Sequence, residues 1–326
     1  MAGSSTGANA RLRMMREATY NTAPTADYWN IPFLPGCDPG TTQANVPNPT
    51  IGHGSDPRAS LPDVFDGKST LVVPIDARYF GLHLSALFGN PTTTDIGTPY
   101  QHVFESNGTG QPVSQAIEVA HLGLSTPKYI MNSGILYNGL SMSLKRSGFS
   151  EAKFDVLVTK EADPNNASGA GTPANLVDSS IKYFSHLTGT LKRDTVALAD
   201  ILSADIDFSY NLDPLEVIAN NGYIGGADRG EASLSVKLKT RWRTMTLYDD
   251  SRNKGAIRLD WALVNSVNES LTFTIAKGIL VRPKIVLQGP AGVDIDFEIN
   301  CHGEDATKML TATLVNDHAG TAYAAA

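Results

Sequence analysis

The chain has almost no cysteine: Cys37 and Cys301, one near each end, are the only two in 326 residues. That excludes a disulfide framework, and the expectation is two buried thiols in a reducing compartment. Long apolar runs are missing as well. No stretch approaches the roughly 18 apolar residues needed to cross a bilayer. Residues 1–20 carry Arg11, Arg13 and Arg16 without the apolar segment that follows such a cluster in a secretory signal. The Asn-x-Ser/Thr sites at Asn107, Asn166 and Asn268 therefore meet no glycosylation machinery, and the reading is a protein cytosolic at synthesis. There is no excess of positive charge either. The formal net charge is −7, which speaks against tight binding to nucleic-acid phosphates or to an anionic membrane, since both need clustered Lys and Arg.

Chemical signatures are equally sparse. The chain contains no His-Glu-x-x-His, no Cys-x-x-Cys, no Gly-x-x-x-x-Gly-Lys-Ser/Thr and no Gly-x-Ser-x-Gly. Asp205-Ile206-Asp207 and Asp294-Ile295-Asp296 each place two carboxylates on one face of a strand. The spacing supplies no third oxygen ligand for a cation, so both pairs read first as acidic, solvent-facing strand edges. The seven histidines are scattered singly. Cys301 and His302 are adjacent, and neighbours in a strand point to opposite faces, which weighs against a dyad. No catalytic, metal-binding or cofactor-binding residue is assigned, and an enzyme is the weaker reading.

What the chain does have is a core and a repeat. Hydrophobic residues make up 41% and charged residues 18%, enough apolar material for real cores, and the length suggests about two domains. Residues 67–80, GKSTLVVPIDARYF, return as residues 230–243, GEASLSVKLKTRWR. With Gly67 set on Gly230, Leu71 falls on Leu234, Val73 on Val236, Ile75 on Leu238, Arg78 on Arg241 and Tyr79 on Trp242. Both copies alternate apolar and other residues with the period of two that buries one face of a strand. Three more anchors keep the order. Ile51-Gly52-His53-Gly54 matches Ile224-Gly225-Gly226; Gly134-Ile135-Leu136 and Gly278-Ile279-Leu280 are each read as opening a strand; and Phe154 aligns with Phe297. Ordered anchors of this kind point to duplication.

The rest of the chain is read around these copies. Residues 1–10 form a flexible arm, and residues 30–63 are punctuated by prolines into a long loop or short extended pieces. Tyr79, Leu82, His83, Ala86 and Leu87 have helical spacing that stops at Gly89-Asn90-Pro91, whereas the corresponding 243–253 region is shorter and more polar. Residues 92–101 read as a polar loop. Residues 161–175 hold almost nothing that could fill a core, and residues 319–326 read as a frayed tail. The division is residues 11–165 as a first unit, 166–190 as a linker or surface excursion, and 191–318 as a second unit. The whole is mainly β with one short helix per unit.

The runs LVVPIDARYFGLHLSALFGNPTTT, TPYQHVFESNG and KYIMNSGILYNGLSMSLKRSGFSEAKFDVLV, continuing through HLTGTLKRDTVALADILSADIDFSYNLDPLEVI and YIGGADRGEASLSVKL, together resemble the major tail tube proteins of long-tailed, siphovirus-type bacteriophages. The resemblance spans about residues 11–305 and lies in the ordered series rather than in one motif. It implies tandemly duplicated tail-tube-type β-sandwich or barrel units contributing to a closed ring β-barrel. It also implies a structural virion protein, made in the host cytoplasm, that self-assembles into stacked rings and a hollow tube for DNA passage during ejection. The implied partners are copies of the chain and other tail proteins at both tube ends, with the tape measure protein and DNA passing through the lumen without specific binding. Two units per chain imply a trimeric ring with pseudo-sixfold symmetry; six chains per ring is the alternative. A ring-forming distal tail or baseplate hub component, and an unrelated β-sandwich binding module, are the other readings.

A candidate lumen-lining face follows from the hairpin that the copies share. Asp294, Asp296 and Glu298 alternate with Ile295, Phe297 and Ile299, so a strand there has one acidic and one apolar face. In the first copy the matching positions are Glu151, Lys153 and Asp155. Facing the channel, these acids would repel DNA within a Debye length of roughly 10 Å. The loops at 90–101 and 161–175 are expected to serve contacts between rings.

Overall fold

The computed structural model describes residues 4–52, 54–97, 99–106, 112–174, 181–218, 220–287, 292–304, 307–319 and 323. Asn107, His53, Asp305, residues 1–3 of the arm, 175–180 of the expected linker, and 320–322 and 324–326 of the tail lie outside them. In the first half the strands are β1 (Ala10–Arg16), β2 (Trp29–Ile31), β3 (Thr42–Asn48), β4 (Arg58–Asp66), β5 (Lys68–Pro74), β6 (Thr92–Asp95), β7 (Tyr100–Glu105), β8 (Ser114–His121), β9 (Lys128–Lys145), β10 (Glu151–Leu157) and β11 (Lys160–Glu161). The second half has β12 (Gly189–Arg193), β13 (Val196–Ala197), β14 (Ile201–Ser209), β15 (Asp213–Leu215), β16 (Gly226–Asp228), β17 (Ser233–Arg241), β18 (Ile257–Ser266), β19 (Glu269–Leu280), β20 (Asp294–Cys301) and β21 (Thr311–Asn316). The α-helices are α1 (Phe80–Phe88) and α2 (Thr246–Asn253). The chain is mainly β.

Six strands make the central antiparallel sheet in the order β5–β10–β9–β14–β17–β20. Its buried face is set by period-two alternation: Leu71, Phe154, Leu140, Phe208 and Leu234 lie in one row across five strands, and Leu238 faces Phe297 at the last pair. All of these side chains are at most 4% exposed. On one side of the core, β1, β8 and the first half of β9 form a second layer, with β2 beyond β1. On the other, β12, β18, β19, β21, β7 and β6 pair in that order. Buried residues of both halves belong to one hydrophobic cluster.

The two halves share a pairing order. β1–β8–β9–β10–β5 in the first is matched by β12–β18–β19–β20–β17 in the second, and a helix follows β5 and β17 alike. One register differs: Phe154 faces Leu71, whereas Phe297 faces Leu238, four residues further along than the ungapped match of Leu71 to Leu234. Four is even, so the slip leaves every side chain on its own face.

Several expectations change. Gly134 and Gly278 do not open strands; they sit inside β9 and β19. In each case the pairing with the preceding strand shifts register beside the glycine, and Gly134 has φ +63°. A glycine bulge bends the strand out of the outer layer and into the central sheet. Residues 92–95 are a strand rather than loop, paired with β7. The segment around 165–174 packs down: Ala170 is fully buried with Tyr28 and Ala116, and the Ala174 carbonyl accepts from the Asn30 side chain at 2.9 Å. In the tail, Tyr323 is 2% exposed rather than frayed, and its hydroxyl accepts from the Asn316 side chain at 2.8 Å. Both cysteines are free and only partly buried. Local sequence could not reveal the burial of Ala170 or Tyr323, because Tyr28 and Ala116 around the one, and the His102 and Phe104 rings against the other, are far away in the chain.

The helices differ as their sequences do. α1 is apolar nearly all round, and eight of its nine residues are buried against the sheet. The Asp76 carboxylate accepts the Arg78 and Tyr79 amides at 2.7 and 2.6 Å just before it, and Gly89 with φ 96° ends it. α2 buries only Leu247 and Ser251.

Candidate functional site

The polar face of the central sheet collects the acids singled out in the sequence. Asp294, Asp296 and Glu298 on β20 lie on the face opposite Ile295, Phe297 and Ile299, and Glu151 and Asp155 on β10 lie opposite Phe154. Cross-strand pairing links the two strands through β9, β14 and β17, so all five acids share one sheet face. The two groups stand at separate places on it, with three strands between.

The face is not wholly acidic. β17 places Arg241 opposite Asp294, Lys239 opposite Asp296 and Lys237 opposite Glu298. Arg241 Nε lies 2.6 Å from Asp294, and Lys153 Nζ lies 3.1 Å from Asp155 on its own strand. Asp205 on β14 faces Lys237 from the other side and accepts from the Ser143 hydroxyl. Lys237 therefore stands between two carboxylates in one row. Opposite charges directly across antiparallel strands contribute roughly 0.2–1 kcal/mol per pair, and this arrangement satisfies the acids locally. Between the charges the face carries Ser141, Ser209, Ser233 and Ser235, so it is largely hydrophilic, with Val72 of β5 an apolar exception across from Lys153.

Asp205 and Asp207 are not on an edge: β14 is hydrogen-bonded on both sides, to β9 and β17. Among the described residues no group of three or more His, Cys, Asp or Glu could hold a metal ion. The cations Lys237, Lys239 and Arg241 are what the sequence reading left out of this face. Their period-two spacing was visible in residues 230–243; what was hidden was the register that sets them against the acids of β20.

Chemistry-bearing groups under the sheet are structural. His83 is 1% exposed, shares a hydrogen bond at 2.9 Å with the Tyr137 hydroxyl, and lies 5.3 Å from the Phe154 ring. Burial pulls its pKa down to about 3, so it is neutral. Burial pushes Asp76 up to about 6 against its backbone hydrogen bonds. Burial also lifts Cys301 to about 12, far from a reactive thiolate.

The fold and this face define a mainly β protein with one apolar sheet face sealed in a core and the other carrying mutually compensated charges, the chemistry of a structural surface. A family model described as phage tail tube protein matches residues 7–301, and the chain belongs to that family. It is thus a structural component of a bacteriophage tail. Among curated proteins, nothing matches the chain. No helix among the described residues is long and apolar enough to cross a membrane.

Proposed function

We propose that the chain assembles with copies of itself into rings that stack into the hollow tail tube of a siphovirus-type phage, and that DNA passes through this tube during ejection. The observation that carries the reading is the shared strand order of the two halves, each with a helix after its β5 or β17 strand. Tandem duplication is the simplest source of such a pattern, and two equivalent units per chain suit a ring of three chains with pseudo-sixfold symmetry. Assembly takes place in the host cytoplasm, with other tail proteins at both ends of the tube. The polar face of the central sheet is the channel wall, carrying Asp294, Asp296, Glu298, Glu151 and Asp155. Because cations face the β20 acids, the wall excludes DNA by full hydration and near-balanced charge more than by net repulsion. The tape measure protein and DNA slide past it without a specific site.

Electron microscopy of tubes grown from purified protein tests the reading. Threefold rings with a sixfold-like wall are expected; six chains per ring would overturn the trimer, and dispersed particles at all concentrations would overturn the tube.

A further inference from the structure

Beside the start of α1, where β7 of the first half meets β21 of the second, buried polar groups converge on one point. Asn316 on β21 is 1% exposed. Its Nδ2 donates to the Ala77 carbonyl and, at 2.8 Å, to the Tyr323 hydroxyl, while its Oδ1 accepts from the His318 amide at 2.9 Å and from His102 Nε2 at 3.1 Å. His102 on β7 is fully buried. Its Nε2 also faces the His318 carbonyl at 3.1 Å, so this nitrogen carries the hydrogen and Nδ1 accepts from the Thr93 hydroxyl at 2.9 Å. Every side-chain polar atom of Asn316 and His102 thus has a partner. The Tyr323 hydroxyl closes the network by donating to the Arg78 carbonyl. Burial pushes its pKa well above the ordinary value, so it stays protonated and remains a donor.

The walls fit a phenol ring. The Tyr323 ring meets His102 edge to face with centroids 4.8 Å apart, and His318 likewise at 5.6 Å, with Phe104 at 6.1 Å. On the helix side the wall is Gly81, the one glycine of α1. A Cβ there would stand 2.5 Å from the ring, so any other residue at this position takes the ring's place. Glycine inside a helix costs up to about 1 kcal/mol relative to alanine, and here it makes the room.

We infer that this space is a recognition slot for a phenol, filled in the chain by its own Tyr323, and that a free para-substituted phenol occupies it when that side chain is absent. An apolar ring of the same size fills the walls but leaves one Asn316 N–H unpaired and withdraws a donor from the Arg78 carbonyl. A buried donor without a partner costs about 1–3 kcal/mol, so the hydroxyl is worth at least about tenfold in affinity. Occupied, the slot clasps the segment beyond β21 to α1 and β7. The Arg78–Asp317 pair holds the same segment, but the Asp317 side chain is 66% exposed and an ion pair in water contributes little, so the ring carries the hold. The slot lies within one chain and does not depend on assembly.

Tyr323→Ala vacates it, and p-cresol, which has the atoms of the lost side chain, is the probe. In this variant p-cresol is expected to raise the melting temperature in a saturable way, as a ligand of the folded state does. The parent and Tyr323→Phe, whose slots are full, should show no such rise. By titration calorimetry toluene should bind Tyr323→Ala at least about tenfold more weakly than p-cresol, and adding Gly81→Ala should weaken p-cresol by a similar factor by narrowing the slot. Where Tyr323→Ala does not fold unaided, refolding with p-cresol but not with toluene is expected to recover the circular dichroism of the parent. Equal responses of parent and Tyr323→Ala, toluene binding as tightly as p-cresol, undiminished binding in the double variant, or no recovery with either compound would each overturn the slot.

Discussion

Two buried groups of opposite tendency are Asp76, just before α1, and His83, in its first turn. Asp76 is 1% exposed with its pKa raised to about 6. The folded chain therefore keeps a proton that the unfolded chain releases above its ordinary value of 3.8, and stability falls as pH rises through that window. His83 works the other way. Its folded pKa of about 3 lies below the ordinary 6.5, so the unfolded chain gains a proton first and stability falls as pH drops from 6.5 toward 3. Each shift is worth a few kcal/mol at about 1.4 kcal/mol per pKa unit. The slopes oppose one another between about pH 4 and 6. We expect Asp76→Asn to remove the compensation, so that stability rises with pH across this window, and His83→Gln to reverse that slope; urea midpoints from pH 3 to 7 in both variants decide it. Gly67 poses a simpler test. A Cβ there would stand 1.9 Å from the Val158 carbonyl oxygen, and one on Gly230 2.5 Å from that of Asn211. Gly67→Ala should cost at least about 1–3 kcal/mol, as overpacking against backbone does, read as a lower urea midpoint at unchanged slope.

Among the elements, β17 and β20 are matched by charge as well as by hydrogen bonds. Their register sets three acids against three cations, and a slip of one residue would also turn Ile295, Phe297 and Ile299 toward water. Replacing Asp294, Asp296 and Glu298 together by Lys should place like charges across the whole ladder and lower stability by about 1–3 kcal/mol, at up to roughly 1 kcal/mol per pair. Adding Lys239→Glu and Arg241→Glu should restore two of the three pairs; Lys237 is kept, because reversing it would set a like charge against Asp205 on β14. Equal thermal midpoints for the triple variant and the parent would show that the ladder adds nothing to register. β9 and β19 depend on another device, the bulges beside Gly134 and Gly278 that let one strand serve two layers.

For the whole molecule, the two halves are joined through both the sheet and the core. β14 joins β9 of the first half to β17 of the second, and β21 from the end of the chain pairs with β7. A single cluster of buried residues runs through both. Calorimetry should therefore give one cooperative transition, with matching calorimetric and van't Hoff enthalpies. Residues 11–165 expressed alone would leave the β7 and β9 edges unpaired, an invitation to aggregate. Two resolved transitions, or a soluble and folded fragment, would contradict this.

Period-two alternation by itself determined which side of β10, β14, β17 and β20 is buried, because a strand has only two faces and Phe154, Phe208, Leu234 and Phe297 each sit among polar neighbours. It determined α1 and its end at Gly89, where an apolar run with helical spacing meets a residue free to take positive φ. It also placed Asp294, Asp296 and Glu298 on one solvated face. Only tertiary structure decided what stands beside that face. The register of β17 on β20, with Lys237, Lys239 and Arg241 against the acids, depends on hydrogen bonds between segments more than fifty residues apart. The same holds for Tyr323 against His102 and Phe104 and for Ala170 beneath Tyr28: a small or isolated residue carries no periodic signal, and its burial is set by what the rest of the chain brings to it.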